Sequence, residues 1–485
     1  MPGKTGRSEL RKAQTLRLSA LLILLLSLLL RAAWITAFPA DPIGPVDAEG
    51  YHLIARNVLA GHGFSMMWEA PFCPTALRTP LYPLFLAGVY RILGAEPVRA
   101  VLVQLLLEVL STALVIQAGT LLGGRRTGAL AGLLYACNGS TQRYTGVLFA
   151  ETLLLTGMAA ALTATLHALQ RPTLKWGALS GALWGLALLI KPNVQFLALA
   201  VGALLLATGL RQACRSGTRK RYSAHVAGFI TLLLLALLPW LIRNQVVFKR
   251  SLLSTAYEEN LARVSAVAIL AEIEQTPAEP WTPTWEALYN RIVEEAARRF
   301  VWSSAAEEML PCLEREQRRQ DVAVIAREVV RAHPGMWVRS HLRGIGNSLL
   351  NLGHRDWYRA LTGKAWEETG VLDNIWKRMG ESLKIGAVGD ALHALWLERV
   401  SNAPLDAAIV WWGLLALRAA VWWGAWRGCR RLRTAPGSMA LLGGVAAYGL
   451  LLAGPIAHDR FYLPAIPAVV LLLAHGIRDA RRRSA

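Results

Sequence analysis

The stretch VRAVLVQLLLEVLSTALVIQAGTLL, residues 98–122, decides the fold. Its charges are Arg99 at the start and Glu108 within, and Arg125-Arg126 follow it. At about 1.5 Å per residue, roughly twenty apolar residues carry a helix across about 30 Å of hydrocarbon. Leu/Ala/Val runs of this kind recur along the 485-residue chain, 54% of which is hydrophobic, with a mean hydropathy of +0.36. In lipid the backbone must satisfy its own hydrogen bonds, so each run is expected to be a helix. The chain therefore reads as an all-α polytopic membrane protein with about ten transmembrane helices, interfacial helices and a mainly helical extracytoplasmic domain.

Working outward, the basic clusters set the orientation. Lys4, Arg7, Arg11 and Lys12 precede the first run. Arg171 and Lys175, the five basic residues of 211–221, Arg427 to Arg433, and Arg481-Arg482-Arg483 close later ones. Short loops rich in Lys and Arg stay cytoplasmic. Both termini are thus expected inside, in a multi-pass plasma (inner) membrane protein. This placement accounts for the formal charge of +20 without nucleic acid, for which no motif is present.

The expected organisation is a cytoplasmic tail at 1–15, then a transmembrane core of about seven spans at 16–242 that includes a first outer loop at 39–96. A large outer domain follows at 243–403, then C-terminal spans at 404–478 and a tail at 479–485. Residues 16–38 read as an uncleaved first span, with a cleaved signal peptide as the alternative. Residues 128–141 read as a short third span. The run 176–210 is too long for one helix, and the break at Lys191-Pro192 divides it near the outer face. Leu81–Leu93 is too short to cross and reads as interfacial. Trp285–Val301 reads as an amphipathic helix. Cys73 and Cys312 both fall in outer segments, which permits a bridge, while the five cysteines form no zinc or dense disulfide pattern.

Some residues need more than packing. Asp47 and Glu49 open a helix carrying Tyr51, Ile54, Ala55 and Val58 on one face. Asp47 reads either as an N-cap or as a general base at the membrane surface. Glu49 reads as a first-turn acid favoured by the helix dipole, or with Asp47 as one of two carboxylates at the membrane surface. Lys191, Arg243 and Arg460 sit where spans reach the outer face. Each alone is a snorkelling anchor, but together they suit an anionic headgroup such as a lipid phosphate. Glu108 shares a face with Gln104, and Glu151 lies near the outer end of its span. Intramembrane carboxylates imply a paired structural role or a polar cavity.

These residues stand among ordered motifs. Gly61-His-Gly-Phe64 and Arg78-Thr-Pro-Leu-Tyr-Pro-Leu-Phe-Leu86, which includes Tyr82, follow the acidic segment. Next come Glu151-Thr152, Ile190-Lys-Pro192, Pro239-Trp-Leu-Ile-Arg-Asn244, Leu253-Ser-Thr255, Ala332-His-Pro-Gly335 and Arg460-Phe-Tyr-Leu-Pro-Ala-Ile-Pro467. Over about 16–478 this order resembles the GT-C type membrane glycosyltransferases. The nearest group is the family-39-like set related to protein O-mannosyltransferases and the lipid A aminoarabinose transferase. The resemblance implies a polyprenyl-phosphate-linked sugar as donor and a lipid, glycan or protein acceptor. It implies Asp47 as base, Lys191, Arg243 and Arg460 at the donor phosphate, and Tyr51, Arg78, Tyr82 and Glu151 in the substrate pocket. The family's second acid directly follows its Asp, whereas here Ala48 intervenes before Glu49. Where relatives have a Lys before a Pro pair, here the cation is Arg78, followed by Thr79.

The rival from another class is a secondary transporter or lipid flippase using Glu108 and Glu151. A third reading is a non-catalytic subunit of an envelope complex. Against transport, no inverted repeat of broken helices is visible, and the charges gather at one face rather than at the midplane.

Overall fold

A computed structural model describes residues 3–216, 219–276, 281–303, 311–350, 358–359, 361–364, 404–452 and 459–483. Apart from one isolated bridge between Ser65 and Pro74, the regular structure among the described residues is helical. Among the described residues, six helices are long and apolar enough to cross a membrane: Arg17–Ala37, Pro97–Gly123, Ala150–Gln170, Pro192–Cys214, Lys220–Phe248 and Leu405–Thr434. The shorter apolar helices Leu174–Ile190, Pro436–Leu451 and Tyr462–Arg478 occupy three further expected spans, and Leu81–Leu93 is the expected short helix of the first loop.

In chain order, α1 is Gly3–Ala37, α2 Val46–Leu59, α3 Leu81–Leu93, α4 Pro97–Gly123, α5 Arg125–Ala136, α6 Gly139–Thr145, α7 Ala150–Gln170 and α8 Leu174–Ile190. A 3-10 turn at Pro192–Val194 separates α8 from α9 (Gln195–Ser216), and α10 is Arg219–Phe248. The break at Lys191-Pro192 is where the sequence places it, since proline cannot continue the ladder. The third expected span, 128–141, is two pieces. Asn138 accepts the backbone N–H of Thr141 and so starts α6 as a new helix. With 12 residues, α5 rises only about 18 Å.

Glycine sets the closest approaches. Gly177, Gly181 and Gly185 repeat every fourth residue along α8 and meet α10, where a methyl group at Gly181 would overlap the Phe229 carbonyl oxygen. Small residues at this spacing let backbones touch, which in lipid replaces the missing hydrophobic drive with close packing.

Next come α11 (Ala256–Asn260), a π-helical turn at Leu261–Ala266, α12 (Val267–Ile273), α13 (Pro283–Arg299), α14 (Cys312–Ala332) and α15 (Pro334–Leu350), the described part of residues 243–403, the segment expected to be the outer domain. Thr282 caps α13 by accepting from the Trp285 N–H. Trp285, Leu288, Ile292 and Ala296 recur at helical spacing and pack on Val322, Ile325 and Ala326 of α14. Most of 351–403 lies outside the described residues. The chain returns through α16 (Leu405–Arg431), α17 (Pro436–Leu451), a 3-10 segment at Asp459–Ala465, and α18 (Ile466–Arg483).

A disulfide joins Cys73 of the first outer loop to Cys312 at the start of α14, 239 residues away. This is the pairing the sequence left open. A cross-link over so long a loop stabilises a fold by about 2–4 kcal/mol.

The α8–α10 contact yields a direct test. Gly181→Leu should cost about 1–3 kcal/mol or more by forcing the two helices apart. It should sharply reduce the monodisperse fraction on size exclusion and lower the melting temperature. Gly413→Leu, at a position where an added Cβ meets nothing within 4 Å, should leave both unchanged.

Candidate active site

The site begins where α1 ends. After Ala37 the chain turns, with the Asp41 carboxylate accepting from the Ile43 N–H at 3.1 Å, and Pro45 opens α2 as its N-cap. Asp47 is therefore a first-turn residue and not the cap, which corrects one of its two readings. Its carboxylate is held by two guanidiniums. Arg78 Nη2 donates to Oδ1, and Arg460 Nη2 donates to Oδ2 at 2.5 Å. Burial pushes the Asp47 carboxyl up, but the charges of Arg78, Arg460 and Lys191 outweigh it and hold the group well below the usual carboxylate range.

Three helix junctions deliver the partners. Lys191 stands at the α8–α9 break, Arg460 in the 3-10 segment before α18, and Glu151 in the first turn of α7, where the helix dipole favours an anion. Lys191 Nζ donates to Glu151 Oε1 at 2.5 Å, and Arg460 Nε lies 3.4 Å from the same oxygen. The Glu151 side chain is 2% exposed and that of Asp47 26%.

The loop carrying Arg78 is clamped through its backbone. Arg243 Nη1 donates to the Thr75 carbonyl at 3.0 Å, the Thr255 N–H to the Ala76 carbonyl at 3.0 Å, and Ser254 Oγ to the Leu77 carbonyl at 2.7 Å. Thr79 Oγ1 donates to the Ile190 carbonyl at 2.8 Å. Trp240 and Asn244 donate to the carbonyls of Leu253 and Leu252. Pro239–Asn244 and Leu253–Thr255 thus hold the loop that presents Arg78.

A cavity of about 1410 Å³ opens over Asp47. Tyr51, Arg78, Lys191 and Arg460 line it. Trp34, Phe38, Val46 and Phe149 form an apolar wall, and Glu259, Asn260, Arg263 and Trp281 belong to the outer domain. The outer-domain residues, with Arg143 and Arg359, were not singled out from sequence. The exposed Trp281 beside a capping Thr282 was the available signal.

Several expected site residues stand apart from the cavity lining. Arg243 stacks over Trp240 at 4.8 Å and over Phe64 and Phe248. Glu49 accepts from Trp68 Nε1 at 2.9 Å. Tyr82 donates to Gln104 Oε1 at 2.5 Å, while Gln104 donates to the carbonyls of Thr145 and Val147, so Tyr82 supports Tyr51 edge-on from behind. Glu151 lies behind Lys191 and Arg460. With Asp47 between guanidiniums and Glu49 on Trp68, the two carboxylates do not form a donor set for a divalent cation. Among the described residues no three His, Cys, Asp or Glu side chains gather as metal ligands.

Residues 77–242 match the family model described as dolichyl-phosphate-mannose-protein mannosyltransferase. Among solved structures, the apo oligosaccharyltransferase of Archaeoglobus fulgidus superposes with a TM-score of 0.50 at 15% identity, over 97% of this chain and 52% of that one. Its fold is that of the GT-C membrane proteins. The chain spans about half the length of that oligosaccharyltransferase. The archaeal oligosaccharyltransferase AglB from Archaeoglobus fulgidus, in complex with an inhibitory peptide and a dolichol-phosphate, gives 0.48 at 14% identity, over 94% of this chain and 50% of that one. ArnT from Cupriavidus metallidurans bound to undecaprenyl phosphate gives 0.37 at 13% identity, over 99% and 79%. No curated protein sequence matches the chain.

Within the helical core, Glu108 belongs to a separate network. Arg31 Nη2 of α1 donates to Glu108 Oε2 of α4 at 2.9 Å, with both side chains fully buried. Tyr135 Oη of α5 donates to the same oxygen at 3.1 Å, and Arg31 reaches Thr141 of α6 at 3.0 Å. The pair ties four helices together. Removing one partner leaves an uncompensated buried charge, at a cost of about 3–5 kcal/mol. Arg31→Met should therefore destabilise severely in thermal melts, and the double change Arg31→Met/Glu108→Leu should recover most of the loss. A double variant as unstable as the single one would contradict a purely structural pair.

Proposed function

We propose that the chain is a membrane glycosyltransferase. It moves a sugar from a polyprenyl-phosphate-linked donor to a lipid, glycan or protein acceptor of the cell envelope, at the outer face of the plasma membrane and with inversion. The observation that carries this reading is a carboxylate, Asp47, set among Arg78, Lys191 and Arg460 on a cavity whose apolar wall adjoins the membrane helices. The matching family model is named for a dolichyl-phosphate-mannose donor. The Cys73–Cys312 bridge suits an oxidising compartment, in keeping with an extracytoplasmic site and cytoplasmic termini.

The chemistry assigns each group a task. Asp47 accepts the proton of the acceptor hydroxyl as its oxygen attacks the anomeric carbon. The bond from that carbon to the phosphate oxygen breaks, and its electron pair leaves with the polyprenyl phosphate. Lys191 and Arg460 stabilise the charge that develops there. The proton then passes from Asp47 to solvent. Arg78 and Tyr51 keep the carboxylate oriented, Arg78 lying over the Tyr51 ring at 5.1 Å. Arg243 serves the loop rather than the phosphate. Transport finds no support at Glu108, which Arg31 neutralises.

The test uses purified protein in nanodiscs, a panel of radiolabelled polyprenyl-phosphate hexoses and pentoses, and membrane extracts as acceptors. Wild type should transfer one label, Asp47→Asn should lose about 10²–10⁴-fold, and Glu49→Gln should stay within a few-fold. Equal transfer by Asp47→Asn would remove Asp47 from the reaction. No transfer by a folded wild type across the panel would overturn the reading.

A further inference from the structure

In the resting site both oxygens of the proposed base are already taken, Oδ1 by Arg78 and Oδ2 by Arg460. A carboxylate accepting from two guanidiniums is a poor proton acceptor. Arg460 is also divided: Nη2 serves Asp47 while Nε faces Glu151 at 3.4 Å, and the Phe149 ring supports its guanidinium at 5.2 Å. Lys191 is on Glu151 as well. The cations a phosphate would need are therefore the same ones that hold the carboxylates.

Resting on the reading above, we propose that Arg460 is a shared counter-ion, and that the donor phosphate, by taking it, converts Asp47 from an ion-pair partner into a base. Counting Arg78, Lys191 and Arg460 against Asp47 and Glu151, the cluster carries one excess positive charge. A phosphodiester brings one negative charge and no cation of its own, so it binds by exchange. Its oxygens replace Asp47 Oδ2 on Arg460, while Arg78 keeps Oδ1 and with it the orientation. Two effects then act in one direction. Asp47 loses one guanidinium, and it gains an anion nearby. The groups facing it are Arg78, Lys191, Arg460, Glu151 and Tyr51. An acceptor, or water, arriving before the donor meets a silent base, so the donor must bind first. Arg460 thus both binds the phosphate and positions Asp47.

Binding reads this device without any transfer. The probe is undecaprenyl phosphate, titrated into wild type, Asp47→Asn, Arg460→Lys and the double variant in phosphatidylethanolamine nanodiscs, with melting curves as a check on folding. If phosphate and carboxylate compete for Arg460, Asp47→Asn should bind the lipid more tightly than wild type, by about tenfold. Lysine keeps the charge but loses the fork that spans two acids, so Asp47→Asn should give no such gain in the Arg460→Lys background. Unchanged or weaker binding by folded Asp47→Asn would overturn the switch, and so would an equal gain in both backgrounds. Should Asp47→Asn not fold, the pH profile decides. In wild type the acid limb for the acceptor at saturating donor should lie at least one pH unit above that for the free enzyme. Coincident limbs would contradict the exchange. No transfer by folded wild type, with lipid binding still tightened in Asp47→Asn, would strike the proposed reaction and leave the exchange standing.

Discussion

Asp47 and Arg460 stand 413 positions apart and meet in one ion pair. Charges withdrawn from water are tolerated only when paired and well hydrogen-bonded. For these two to meet with Lys191 and Glu151, four junctions must end at one level: the exit of α1, the start of α7, the α8–α9 break and the entry to α18. Much of the remaining architecture secures that level. The glycine face of α8 fixes it against α10, Thr79 ties the Arg78 loop to the end of α8, and the Arg31–Glu108 pair locks α1 to α4, α5 and α6.

What the sequence made legible is what a single helix or loop encodes. Runs such as 98–122 have one stable form in lipid. Lys191-Pro192 breaks a helix locally, and α13 carries its cap, its proline and its apolar stripe within one segment. The acidic opening of α2 and the cations at the outer ends also could be read, because a charge at a membrane surface is costly wherever it is placed. Asn138, as the residue that divides 128–141, was equally local and was missed because the apolar run masked the cap.

Pairings were harder to read, for a physical reason. A transmembrane helix is apolar all round, so periodicity does not say which face meets protein and which meets lipid. Arg31 lies within the first apolar run, and nothing near it names Glu108 as its partner. Arg243 looked like Lys191 and Arg460 in sequence, each a basic residue at a span end. It is distinguished by the Phe64 ring and the Thr75 carbonyl, which come from the distant first loop. The outer-domain wall of the cavity, including Glu259 and Trp281, depends on docking a separate core over the first loop, a docking that the Cys73–Cys312 bridge fastens.

The central claim is that the cluster around Arg460 receives a lipid phosphate. The most direct measurement is an electron cryomicroscopy structure of the protein in nanodiscs with undecaprenyl phosphate bound. The account requires the phosphate to be within hydrogen-bond reach of Arg460 and Lys191, with Asp47 kept by Arg78 alone. A lipid phosphate seated elsewhere, with the Asp47–Arg460 and Lys191–Glu151 pairs intact, would contradict it.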